Sequence, residues 1–122
     1  MTTIPEIWAI DLQSEQTEFL ADCPWLTERQ ALLCAAMSCI SEDCWCAGWL
    51  IGLEFDVWER IHGADTFYGM SDAPAELLAL CRDLSAEIGG WVEWRDASPL
   101  TSEWGPYFVP ADEWARKLET LR

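Results

Sequence analysis

SEDCWCAGWLIGLEFDVWERIHG, residues 41–63, reads as the longest helix of the chain, and the fold turns on how its apolar face is covered. Ser41 suits the N-cap, where a hydroxyl accepts a bond from one of the first free amides. Glu42 and Asp43 follow, where carboxylates meet the positive end of the helix dipole. Gly63 suits the other end, because glycine adopts the left-handed conformation that commonly closes a helix. Between them Cys46, Trp49, Leu50, Leu53, Val57 and Ile61 recur at steps of three and four and line one face, while Glu54 and Glu59 fall elsewhere. Gly48 and Gly52 each cost about 1 kcal/mol relative to Ala and weigh against an unbroken helix.

Working toward the N-terminus, Thr27 and Gln30 have capping-box spacing and open a helix that runs to about Ile40. Its sequence, ERQALLCAAMSCI, is apolar over most of its circumference, which predicts a central helix with little exposed surface. Ala35, Ala36 and Ser38 are small enough to let a neighbour approach closely. With almost no linker between them, this helix and the long one are expected to form an angled or antiparallel pair. Ser14 reads as the cap of a short helix that carries Phe19 and Leu20 and stops by Cys23, since the residue before Pro24 avoids the helical region. Residues 1–13 read as an extended or irregular arm packed by Trp8.

Working toward the C-terminus, ADTFYGMSD after Gly63 reads as a loop or one short strand. Pro74 stands near the first turn of a further helix, where a missing amide does no harm. Leu77, Leu78, Cys81, Leu84 and Ile88 form its stripe, and Gly89 and Gly90 end it. WVEWR and PYFV then flank a polar stretch containing Pro99, the pattern of a hairpin with a loop longer than the tightest class. In a regular strand Trp91 and Trp94 would point to opposite faces. Pro110 and Asp112 introduce a last helix with Trp114, Leu118 and Leu121, and with Lys117 and Arg122 near its C-terminus. These elements predict a single α+β domain over residues 1–122, with four to five helices around the long central helix (about 42–62) and a small C-terminal antiparallel β-hairpin.

Composition says what kind of surface encloses that core. Hydrophobic residues make up 51% of the chain and nine residues are Trp, which is enough apolar surface to fold despite a formal net charge of -15. Residues 1–59 hold eleven acids and Arg29 as the one base, a net charge of -10. Such a field repels nucleic acid and anionic membranes and draws basic protein surfaces. A secretory signal is not expected, because Glu6 is the first charged residue and no Lys or Arg precedes the first apolar segment. The expected location is the cytoplasm. The apolar run at 44–53 is too short for a bilayer span of about 20 residues.

Six cysteines, Cys23, Cys34, Cys39, Cys44, Cys46 and Cys81, show no C-x-x-C pairing and read as buried, reduced thiols rather than zinc ligands. His62 is the lone histidine; on a continuous helix it lies roughly 24 Å from Cys46 by the standard rise, so those two cannot form a catalytic dyad. The familiar enzyme signatures are absent. Residues 62–72 place His62, Asp65, Thr66, Tyr68, Ser71 and Asp72 around two glycines, the composition of a turn between helices and also of a ligand-binding loop.

Glu54, Asp56 and Glu59 group on the later part of the long helix, as a solvated face or an acidic docking strip. Trp104, beside Glu103 in the hairpin loop, is the aromatic most suited to exposure and to anchoring an interface. The sequence therefore points to a non-catalytic binding protein without metal or cofactor. Glu54, Asp56, Glu59, Asp65, Glu103 and Trp104 would meet a basic partner protein, one that processes nucleic acid or nucleotides. In charge and size this describes toxin-immunity proteins and phage-encoded inhibitors of bacterial defence. The alternatives are a structural or adaptor subunit with an apolar interface, and a small enzyme built on the 62–72 loop.

Overall fold

A computed structural model of the protein describes residues 3–40, 74–95 and 105–121. Thr27 and Gln30 form the capping box that their spacing predicts. The Gln30 amide donates to Thr27 Oγ1 at 3.2 Å, and the Thr27 amide donates to Gln30 Oε1 at 3.0 Å. Helix α2 (Glu28–Ile40) starts there and buries every residue from Ala31 to Met37. Seven consecutive buried residues span two turns, so all sides of α2 are covered. Helix α1 (Ala9–Asp22) packs on one side of it and helix α3 (Ala75–Ile88) on the other.

Thr27→Ala removes the side-chain half of this cap and is expected to lower folding stability by about 1 kcal/mol. Urea denaturation measures this directly, and an unchanged midpoint would show that the cap contributes nothing.

Helix α1 begins earlier than its serine suggests. Ser14 lies inside the helix, and residues preceding it are helical rather than extended. A 3-10 turn, Glu6–Trp8, follows Pro5 and is closed by the Trp8 amide donating to the Pro5 carbonyl at 3.0 Å. Helix α1 continues directly from it with no side-chain cap. Gln and Glu, good helix formers, fill its middle, while Leu12, Phe19 and Leu20 turn toward α2 with Trp8. The helix stops at Cys23, whose amide donates to the Phe19 carbonyl at 2.8 Å, immediately before Pro24. Gln16 Nε2 donates to the Glu28 carbonyl at 2.7 Å and ties α1 to the start of α2.

Pro74 occupies the N-cap position of α3, one residue before the helix, and its carbonyl accepts from the amides of Leu77 and Leu78 at 3.0 and 3.2 Å. The buried stripe is Leu77, Leu80, Cys81, Leu84 and Ser85; Leu78 and Ile88 are half-buried at its edges. Arg29 on α2 and Glu87 on α3 form a two-bond ion pair, Nε to Oε1 at 2.9 Å and Nη2 to Oε2 at 2.7 Å. Both side chains are 29% exposed, so the pair orients the two helices more than it stabilises them.

Strands β1 (Gly90–Arg95) and β2 (Gly105–Pro110) pair antiparallel, with Gly90 opposite Pro110 and Arg95 opposite Gly105. Helix α4 (Ala111–Leu121) follows β2 without a break. The turn from α3 into β1 requires two glycines for different reasons. Gly89 closes the helix at φ 75°, the left-handed region that favours glycine. A Cβ on Gly90 would collide with the Val109 carbonyl oxygen and come within 2.8 Å of the Phe108 ring. Ser85 Oγ donates to the Gly90 carbonyl at 2.7 Å, and the Ala111 amide donates to the Gly89 carbonyl at 2.9 Å. The end of α3, the hairpin and the start of α4 are thus fastened at one point.

At the opposite end of the hairpin, Trp25 Nε1 donates to the Pro106 carbonyl at 2.8 Å and its ring stacks on Tyr107, with centroids 5.5 Å apart. The hairpin is pinned to the α1–α2 connection at this contact. Val92 and Val109 are buried, and Trp91 packs against the core.

The fold is α+β. Among the described residues it has four α-helices and a two-stranded antiparallel sheet near the C-terminus. The expected central helix over about 42–62, the 62–72 loop and the hairpin loop lie outside the described residues.

Candidate functional site

Helix α1 carries four acids, Asp11, Glu15, Glu18 and Asp22, and no Lys or Arg. Spacings of four, three and four residues bring them onto one face about 60° wide, at 100° per residue. Asp11, Glu18 and Asp22 are exposed and Glu15 is half-buried. Such a row opposes the helix it stands on. Like charges one turn apart cost about 0.2–0.5 kcal/mol per pair, and Asp22 sits at the negative end of the dipole.

The first turn of this row opens into a cleft of about 330 Å3 between the N-terminal part of α1 and the C-terminal part of α2. Trp8, Asp11, Ser14 and Glu15 line one wall. Ser38, Cys39 and Ile40 line the other. The Trp8 indole is tethered at Nε1 to Glu76 Oε1, 3.4 Å away at the start of α3. Burial raises the pKa of the Cys39 thiol, and the negative potential of Glu15 and Asp11 adds to the rise.

The remaining described thiols are packing groups. Cys23, Cys34 and Cys81 are buried and unbridged. Burial pushes Cys81 up to about 12, with Cys39 adding to the rise and Arg82 opposing it; burial also raises Cys34, helped by Cys23. Above the ordinary thiol pKa of 9.0 the unfolded chain releases these protons while the folded chain keeps them. Stability is therefore full below pH 9 and falls as the pH climbs toward 12. Between pH 7.5 and 9.5, under reducing conditions, the unfolding free energy is expected to drop by about 2 kcal/mol, and by about half of that in Cys81→Ala. Equal drops in the two proteins would contradict this.

Glu54, Asp56, Glu59, Asp65, Glu103 and Trp104 lie outside the described residues, as do His62, Cys44 and Cys46. The structure thus brings together a different set of acids, on α1. Their 4-3-4 spacing without an intervening base was a readable signal, but taking Ser14 as a helix start separates Asp11 from the other three. Among the described residues no group of three or more His, Cys, Asp or Glu side chains could hold a metal ion. Among them, too, no helix is long and apolar enough to cross a membrane. No family model, curated protein or solved structure matches the chain.

Proposed function

We propose that this is a non-catalytic acidic binding protein of the inhibitor or immunity type, working in the cytoplasm. It docks on the basic surface of a protein that processes nucleic acid or nucleotides. Its carboxylates stand where the partner ordinarily receives phosphates, and its bulk blocks that surface. The observation that carries this reading is the row Asp11, Glu15, Glu18 and Asp22 on a helix without a base, in a half of the chain with a net charge of -10. A row that costs the helix stability is accounted for by an external cation partner.

Ile7 and Ile10, 80% and 83% exposed beside this row, supply the apolar anchors that a charged rim alone lacks. They also favour the second reading, an adaptor subunit that binds through apolar area. The two readings part on salt. Immobilised protein in a lysate of its source cells is expected to retain basic proteins at about 50 mM salt and release them by about 500 mM. Retention indifferent to salt would favour the adaptor.

A further inference from the structure

We propose that the cleft between α1 and α2 receives one arginine side chain of the partner, with the guanidinium between the Asp11 and Glu15 carboxylates and against the Trp8 indole. This deepens the docking reading and rests on it.

Size, charge and wall chemistry support the same occupant. A volume of about 330 Å3 is at the small end of ligand-binding cavities, room for a side chain rather than a folded segment. Two carboxylates one helical turn apart on the same wall match the fork of guanidinium N–H donors, which a compact ammonium does not fill as well. Trp is the strongest of the aromatic side chains for holding a cation. The Ser14 and Ser38 hydroxyls, on opposite walls, offer further acceptors. Cys39, held protonated in part by Glu15 and Asp11, registers the negative potential inside the cleft without competing for the cation. The row continues outward through Glu18 and Asp22, so an arginine seated here would be the innermost of a series of contacts along α1.

The test is a 15N NMR titration of the intact protein with Nα-acetyl-arginine methylamide, and in parallel with its neutral citrulline counterpart. The arginine compound is expected to shift the Trp8 indole N–H and the amides of Asp11, Glu15 and Cys39 saturably. The citrulline compound is expected to bind at least about tenfold more weakly, the loss of a charge-assisted pair. Asp11→Asn with Glu15→Gln should weaken the arginine compound by a similar factor, while Glu18→Gln with Asp22→Asn should leave it unchanged. Equal shifts from both compounds, or shifts that never saturate and spread evenly over the acids of α1, would overturn the proposal. The wild-type comparison stands even where a variant folds poorly. Capture of basic proteins by the protein neutralised at Asp11, Glu15, Glu18 and Asp22 together tests the docking reading separately. Loss of capture there with no arginine binding in the cleft would remove the cleft and keep the docking; retained capture would remove the docking.

Discussion

Leu33→Ala is expected to cost about 3 kcal/mol of folding stability, within the 2–5 kcal/mol range for a leucine deleted from a core that cannot collapse. Leu33 is 0% exposed and stands within the run Ala31 to Met37, all of it buried. Helices α1 and α3 both pack on α2, and Ala36, one turn on from Leu33, is too small to fill the void. Against a typical total of 5–15 kcal/mol, the loss is a large fraction of what keeps such a domain folded. Ile10→Ala serves as the comparison, because that side chain is 83% exposed and its removal is expected to change stability by less than about 0.5 kcal/mol. Urea unfolding of the two variants separates the cases. Equal effects would mean that α2 is not the centre of the core.

Neutralising the row on α1, with Asp11→Asn, Glu15→Gln, Glu18→Gln and Asp22→Asn together, is expected to move stability and binding in opposite directions. Removing three like-charge pairs should stabilise the protein by about 0.5–1 kcal/mol, while the gain from losing Asp22 at the negative end of the dipole is offset by the loss of Asp11 at the positive end. Binding to a basic partner captured by the wild type should weaken at least about 100-fold, since four charge contacts are lost at once. The stability gain is measured by urea denaturation and the binding loss by calorimetry. A row that served only to solubilise the protein would show the gain without the loss.

How far the fold could be read in advance depended on whether a side chain's local role matched its position. Thr27 and Gln30 form a cap at the spacing where caps form, and ERQALLCAAMSCI is buried because nothing in it after Gln30 suits water until Ser38. The hairpin was legible in the same way, from two aromatic and branched runs around a polar stretch. Ser14 misled because a serine in the middle of a helix is neutral enough to be carried by good helix formers on both sides. Ile7 and Ile10 lie in water, since apolar residues are buried only statistically.

Ser85 could not have been placed from the sequence, because a polar residue joins an apolar stripe only when a partner waits for it. That partner, the Gly90 carbonyl, belongs to the next element. The candidate site divides in the same manner. An excess of carboxylates was evident from composition, whereas the α1–α2 cleft arises from two helices meeting and leaves no mark in either one. Glu54, Asp56 and Glu59, on the expected long helix, lie outside the described residues, and the row on α1 is continuous because the helix begins at Ala9, ahead of Asp11.

The most direct test is the dependence of affinity on salt for one captured basic partner, measured with the wild type and the α1-neutralised protein between about 50 and 500 mM. If α1 is the docking face, the wild-type Kd rises steeply, by about two orders of magnitude, while that of the variant changes by less than about threefold. Two parallel lines of log Kd against log salt would place the charge contacts elsewhere and contradict the docking face on α1.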